Sequence, residues 1–213
     1  MKSRRILEIG GLIAGVLMIA FGVGALVMSI TARNTVGNEL SAEAIVGAPD
    51  MNPTDIKTEA SQAGLPATIA LPTCNVADKA IENGSDARCF AEYMRIHALE
   101  ASGGLTYAQM GRYVSAAAPK DAKGTSDEAA AQKDADGNPV PNGARNTWVT
   151  ATALSTALNV SYMAEQIALF GLIVGIALLL SGIGFVILAI AVLGGAARSE
   201  SSKITQSADP VPA

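Results

Sequence analysis

The sequence predicts an all-α membrane protein in which two transmembrane helices flank a mainly helical extracytoplasmic domain with one disulfide. Two long apolar runs, Ile6–Ile30 and Ile167–Leu193, bracket a polar stretch of the chain. At a rise of ~1.5 Å per residue, each run forms a helix of roughly 35 to 40 Å, which is enough to cross a hydrocarbon core of ~30 Å. The chain's two cysteines both lie in the polar stretch between the runs.

The charges that flank the apolar runs predict the orientation. Lys2, Arg4 and Arg5 precede the first run, and Arg198 and Lys203 follow the second. Basic residues favour the cytoplasmic side, so we expect both termini in the cytoplasm and the central domain outside the cell membrane. The predicted division is a cytoplasmic N-terminus at 1–5, transmembrane helices at 6–30 and 167–193, an extracytoplasmic domain at 31–166, and a disordered cytoplasmic tail at 194–213.

The first run resembles a secretory signal because a basic segment precedes it. Signal sequences carry only ~7 to 15 apolar residues, however, and this run is much longer. It also ends without a convincing small-x-small cleavage site. We therefore interpret it as a retained anchor.

The central segment is acidic, with 10 basic and 16 acidic residues between Arg33 and Glu165 and a formal charge of −6. This charge disfavours nucleic acid and anionic lipid as partners of the segment. The expected partners are membrane lipid around the spans, and further copies of the chain or another membrane or envelope protein.

Cys74 and Cys89 predict one disulfide formed outside the cytoplasm. The bridge would close a loop with 14 intervening residues and contribute about 3 kcal/mol on the chain-entropy model. A zinc site is the alternative interpretation, but two thiols and the single histidine, His97, provide fewer than four ligands.

Local signals predict several helices in and after the central domain. Asparagine and proline at 52–53 open the first, which ends at Gly64, and Ser85–Ala101 forms the second. Thr106 and Gln109 form a capping box for a third helix, which ends before Pro119. Residues 119–146 are rich in turn-forming residues and predict a surface loop, and a long helix is expected from Thr147 to Leu193.

Glycines recur with identical spacing in the two apolar runs. Aligning 11–30 with 171–190 gives seven identities in twenty positions. On a helix the repeated glycines share a narrow face, which favours close helix packing, although glycine is also generally common in membrane helices. The predicted packing residues are Gly11, Gly15, Gly22, Gly171, Gly175 and Gly182.

The residues that invite a chemical interpretation do not form a complete motif. His97 lies one turn from Glu100 and is interpreted as an ordinary helix histidine in a side-chain pair. Asp134, Asp136 and Asn138 resemble part of a calcium loop, but the glycine and the twelfth ligand of that motif are misplaced. We therefore predict no catalytic residue, no cofactor and no metal site.

Two segments, Cys89–Tyr107 and Asn142–Trp148, resemble uncharacterised two-span membrane proteins of actinobacteria. The resemblance extends over nearly the whole chain. It implies the same topology and an outward domain, and it brings no established activity. Aromatic ring-opening dioxygenase chemistry is not expected, because such iron sites usually need two histidines and a carboxylate.

The sequence favours a structural or interaction subunit that is not an enzyme. Its outward domain would dock an envelope partner while its glycine-faced helices assemble in the bilayer. The alternatives are an extracytoplasmic sensor or ligand-binding module that acts through a separate partner, and an oligomeric channel component. The short cytoplasmic segments leave no room for an output domain, and ionisable residues are absent from the middle of both spans, which argues against ion-coupled transport.

Overall fold

The computed structural model describes residues 2–194, with side chains described for residues 5–191. Its helices are α1 (Lys2–Ala42), α2 (Pro53–Gln62), α3 (Gly84–Ala101) and α4 (Gly143–Ile187), with a 3₁₀ turn at Tyr107–Gln109 and a π-helical segment at Leu188–Gly194. Residues 2–194 contain isolated β-bridges but no regular strand, so the predicted all-α class is confirmed. The predicted tail, 194–213, lies outside the described residues except for Gly194.

The chain divides into two compact units. The helix-pair unit lies within Met1–Arg33 and Gln166–Ala213, and the central unit is Asn34–Glu165. Helices α1 and α4 each contribute residues to both units.

The two long helices are apolar enough, and long enough, to cross a membrane, as predicted. In the helix-pair unit their large apolar side chains are mostly exposed, including Phe21 at 70%, Met28 at 74% and Phe170 at 68%. A core helix of a water-soluble protein would bury such residues. The buried positions are instead taken by small residues at intervals of seven, namely Gly15, Gly22 and Ser29 in α1 and Ala168, Gly175, Gly182 and Ala189 in α4.

The core of the central unit surrounds α3, which buries nine of its residues. Ile56 of α2 and Tyr93 of α3 are fully buried, and Leu40 of α1 and Leu158 of α4 join the same cluster. Four helical segments therefore share one core. Trp148, the chain's one tryptophan, packs against this core, so its fluorescence reports on the folding of the central unit.

The caps of α2 and α3 follow from local sequence. The Asn52 side chain accepts hydrogen bonds from the backbone N–H groups of Thr54 and Asp55, and Asn83 accepts one from Asp86. Gly64 and Gly103 follow the two helices with φ of 69° and 62°, a conformation that favours glycine. Both helices were predicted to within about two residues of these bounds, which is the usual uncertainty of a helix end.

The predicted third helix is wrong. The Gln109 side chain does accept a 2.8 Å hydrogen bond from the Thr106 backbone N–H, but only Tyr107–Gln109 is helical. After this turn the backbone pairs with the following loop, with the N–H of Val114 donating to the Val140 carbonyl at 2.9 Å. Aromatic and β-branched residues at 113–114 suit such extended pairing, and these long-range partners are not visible in local sequence.

The start of α4 also differs from the prediction, since the helix begins at Gly143 and not at Thr147. Asn142 explains the earlier start, because its side-chain oxygen accepts a hydrogen bond from the Ala144 N–H at 3.1 Å. Its amide also donates to the carbonyls of Gly111 and Ala122. Asn142 therefore joins the folded loop to the first turn of α4.

Candidate functional site

One histidine and two carboxylates converge on the surface of the central unit. The Nε2 atom of His97 lies 3.6 Å from Oδ2 of Asp50 and 3.8 Å from Oε2 of Glu59. One potential ligand atom from each residue can be chosen so that all three lie within 4.8 Å of one another. We call these three residues the His97 cluster. Its side chains are about one-third exposed, so solvent reaches the cluster.

Three different segments place these side chains. Asp50 lies just before the Asn52 cap of α2, Glu59 lies in α2, and His97 lies in α3. The buried Ile56 and Ile96, neighbours of these residues in α2 and α3, belong to one core and hold the two helices together. The geometry of the cluster is therefore fixed by the hydrophobic core beneath it.

Glu100 adds a third carboxylate one turn along α3 from His97. Burial raises the pKa of the Glu100 carboxyl above its ordinary value; His97 lowers this pKa, whereas the carboxylates of Glu59 and Asp50 raise it. These three influences show that Glu100 interacts electrostatically with every member of the His97 cluster.

Several polar atoms in this region are buried without a hydrogen-bond partner. In the part of the chain with described side chains, they include Oδ1 of Asp50, Nε2 of His97 and Oε1 of Glu100. Buried polar atoms are normally hydrogen-bonded, and each exception requires an explanation. Here the imidazole nitrogen and two carboxylate oxygens, which belong to neighbouring side chains, all lack a hydrogen-bond partner.

Sequence reasoning found His97 and Glu100 but missed Asp50 and Glu59. Their separations from His97 along the chain match no metal-ligand or catalytic motif, because three separate segments supply the cluster. The amphipathic face of α3 was the available signal, since such a face indicates that another element packs against it. It did not indicate which residues that element would supply.

The cysteines lie where the predicted disulfide requires them. The sulfur atoms of Cys74 and Cys89 are 2.08 Å apart and their Cα atoms are 6.1 Å apart. The buried Tyr93 donates a 2.6 Å hydrogen bond from its hydroxyl to the Cys74 carbonyl, which anchors the bridged loop to α3. Thiols joined in this way are not available as zinc ligands, so the alternative interpretation of the cysteines loses its basis.

The predicted packing glycines face the opposite helix of the same chain. A Cβ atom placed on Gly15 would lie 2.8 Å from the Gly182 carbonyl oxygen, and one on Gly22 would lie 2.9 Å from the Gly175 carbonyl oxygen. Such distances are too short for a real side chain. Gly11 likewise faces Ala189, and Gly171 faces Ser29. The helices are therefore antiparallel, and Gly15 and Gly22 approach the backbone of the opposite helix.

Other glycines of the two runs point away from this contact. A Cβ atom at Gly10, Gly24 or Gly184 would meet nothing within 4 Å. Gly24 and Gly184 occupy equivalent positions when 11–30 is aligned with 171–190, but these two do not belong to the packed face. They provide matched control positions for the glycines that do.

A shallow groove of about 220 Å³ lies between α3 and the first part of α4, within the central unit. Small residues, including Ala91, Ala98 and Ala151, form much of its wall, with Trp148 beside them. Glu92 and Arg95 provide its charges. The residues that line the groove form no group of ionisable side chains comparable with the His97 cluster.

The comparisons with known proteins assign no function to this chain. No protein-family model matches the chain, and searches of curated proteins and of solved structures returned no match. Neither a family nor a relative therefore assigns a role to the His97 cluster, the disulfide or the paired glycines.

Proposed function

We propose that the chain is a membrane-anchored interaction subunit without enzymatic activity, whose central unit docks another envelope protein. The helix pair would cross the cell membrane twice, with both termini in the cytoplasm and the central unit outside. The paired helices would form the anchor, and the central unit would present the surface that the partner recognises.

The exposure of the large apolar side chains on both long helices carries this proposal. Small residues face each other between the helices, and side chains such as Phe21, Met28 and Phe170 point outwards. This arrangement is stable where lipid, not water, surrounds the helices. A disulfide in the central unit supports an extracytoplasmic position for that unit, because cytosolic thiols are usually kept reduced.

The packing of the glycines affects how the subunit would assemble. Because Gly15, Gly22, Gly175 and Gly182 contact the other helix of the same chain, their face is occupied within the monomer. Assembly with other chains would therefore use the outward faces of the helices or the central unit. A homo-oligomer and a complex with a different membrane protein both remain compatible with this arrangement.

The proposed orientation can be tested by thiol labelling of intact cells. The native cysteines form a disulfide, so a membrane-impermeant maleimide should label only an introduced cysteine. Ala130 lies in the exposed loop of the central unit and Ser3 lies in the predicted cytoplasmic segment. We expect labelling of Ala130→Cys in intact cells, and labelling of Ser3→Cys only after the cells are broken. The reverse pattern would refute the orientation.

The interaction role is tested by native mass spectrometry of the protein gently extracted from its own membranes. A second protein in fixed ratio is the expected result, and it would make the chain an accessory subunit. Copies of this chain alone would favour a self-assembled scaffold or a channel. Extraction of the protein only as a monomer, with no second protein and no further copy bound, would contradict the interaction role.

A second candidate function is an extracytoplasmic sensor that signals through a separate partner. The observation that favours it is the His97 cluster, which is accessible to solvent and concentrates ionisable groups on the central unit. A small ligand that raises the unfolding temperature of the central unit would support this function.

A further inference from the structure

We infer that the His97 cluster is a binding site for one divalent first-row transition-metal cation, such as Zn²⁺, with Asp50, Glu59 and His97 as ligands. This site goes beyond the proposed interaction role and does not depend on it. It also differs from the absence of a metal site that the sequence predicted.

The distances between the ligand atoms suit such a cation. Zinc binds imidazole nitrogen and carboxylate oxygen at about 2.0 to 2.2 Å, which places adjacent ligands of a tetrahedral site about 3.4 Å apart. The His97 nitrogen lies 3.6 Å from one carboxylate oxygen and 3.8 Å from the other. Contraction of a few tenths of an ångström would bring the nitrogen to this spacing from each carboxylate oxygen, and the ligand atoms of the three residues all lie within 4.8 Å of one another.

The same distances are poor for direct hydrogen bonds. A nitrogen–oxygen separation of 3.6 Å exceeds the ~2.7 to 3.2 Å of an ordinary N–H···O bond. This explains why Nε2 of His97 is buried without a hydrogen-bond partner among the described side chains. A cation between the three side chains would satisfy the imidazole nitrogen and both carboxylates at once.

The charge of the cluster supports the same conclusion. Among residues 5–191, His97 is the one ion-pair partner found for the Asp50 and Glu59 carboxylates. Glu100 adds a further acidic group whose Oε1 atom is buried and has no hydrogen-bond partner. Like charges so close together repel one another, and a dication would offset this repulsion.

The donor set also indicates the class of metal. Imidazole suits zinc, copper, iron and nickel, whereas calcium and magnesium are bound mainly through oxygen atoms. One nitrogen with two carboxylate oxygens therefore favours a transition-metal cation that accepts both kinds of ligand. Exposure of the cluster leaves room for water to complete the coordination shell.

The test is a Zn²⁺ titration of the full chain in detergent, purified without a polyhistidine tag and treated with chelator beforehand. Isothermal titration calorimetry should show one saturable site. His97→Gln and Glu59→Gln should each weaken this binding at least about tenfold, since changes around metal sites typically cost 10- to 100-fold in affinity. Glu92→Gln is the matched control, because it removes a half-exposed carboxylate from the same helix outside the cluster.

Two further measurements keep the result clear. Trp148 fluorescence of the metal-free variants checks that their central units are folded before titration. Co²⁺ absorption of the unmodified chain needs no variant: intense visible bands would indicate a site with four or five ligands. Absence of saturable Zn²⁺ binding, or binding unchanged in both folded cluster variants, would overturn the proposal. Calcium bound as tightly as zinc would overturn the assignment to a transition metal.

Discussion

The backbone N–H of Gly84 donates a 2.7 Å hydrogen bond to Oε2 of Glu165, across 81 residues of sequence. Gly84 is the first residue of α3, so the carboxylate lies at the positive end of that helix. A Cβ atom on Gly84 would lie 2.7 Å from this oxygen and 2.8 Å from the Cα atom of Tyr162. Helix α3 can therefore approach α4 this closely only because residue 84 is glycine.

Replacing Gly84 by alanine should destabilise the central unit by about 1 to 3 kcal/mol, because the added methyl group overpacks the contact with α4. Urea unfolding of the full chain in detergent, followed by Trp148 fluorescence, measures this loss. Gly143→Ala is the matched control, since Gly143 is also the first residue of a helix but has open space around it. Equal effects of the two changes would contradict the steric explanation.

The disulfide should be a major source of stability for the central unit. Cys74→Ser combined with Cys89→Ser should lower the free energy of unfolding by about 2 to 5 kcal/mol, the usual cost of removing a native disulfide from a small extracellular domain. The same fluorescence assay measures the loss. A reductant added to the unmodified chain should cause a similar decrease. If the reduced and oxidised chains unfold at the same urea concentration, the bridge contributes nothing.

Glu100 should make the stability of the central unit depend on pH. Its pKa is raised in the folded state, mainly by burial, so the folded chain binds the Glu100 proton more tightly than the unfolded chain does. The stabilisation that results from this tighter proton binding is complete below the pKa of Glu in the unfolded chain, about 4.3. It is lost as pH rises through the pKa of Glu100 in the folded chain. In chelator, Glu100→Gln should therefore unfold at a higher temperature than the unmodified chain at pH 7.

This advantage of Glu100→Gln should shrink towards pH 4, where the native carboxyl is also neutral. Glu92→Gln provides the control, because Glu92 is half-exposed and pairs with Arg88 at 3.2 Å. Loss of that surface pair should give no gain in thermal stability. A pH-independent difference between Glu100→Gln and the unmodified chain would show that ionisation of Glu100 is not the cause.

The sequence predicted those features that depend on local chemistry or on composition over a whole helix. Asn52 and Gly64 bracket α2 because capping and positive φ are properties of single residues. The apolar runs identified the two long helices in the same way. The capping box at Thr106 was also recognised correctly, but it opened only a short turn.

Features that depend on distant partners could not be predicted. Val114 pairs with Val140 because the intervening loop folds back, and this pairing overrides the local helical pattern. Asp50 and Glu59 approach His97 because the core positions α2 against α3. Glycine spacing showed that the two apolar helices have packing faces, but it did not show whether the faces meet within one chain.

The pairing of α1 with α4 within one chain can be tested by cross-linking. A Cβ atom at Gly11 would lie 3.4 Å from the Cβ atom of Ala189, close to the ~3.5 to 4.5 Å typical of disulfides. Oxidation of Gly11→Cys with Ala189→Cys should therefore remove both new thiols while the protein still migrates as a monomer. Thiol-reactive polyethylene glycol and a non-reducing gel measure this. Gly10→Cys with Ala189→Cys should react poorly, because Gly10 faces open space.

A leucine on the packed face should separate the two helices. In the chain carrying Gly11→Cys and Ala189→Cys, Gly22→Leu should slow cross-linking severalfold, because a side chain at Gly22 would collide with the backbone of α4 at Gly175 and Leu179. Gly24→Leu adds the same side chain to the same helix, but at a position with nothing within 4 Å, and should leave the rate unchanged. Close packing in lipid depends on small residues at the contact, so hydrophobicity alone would not distinguish these two variants. Equal cross-linking rates would mean that the glycine contact does not hold the helices together.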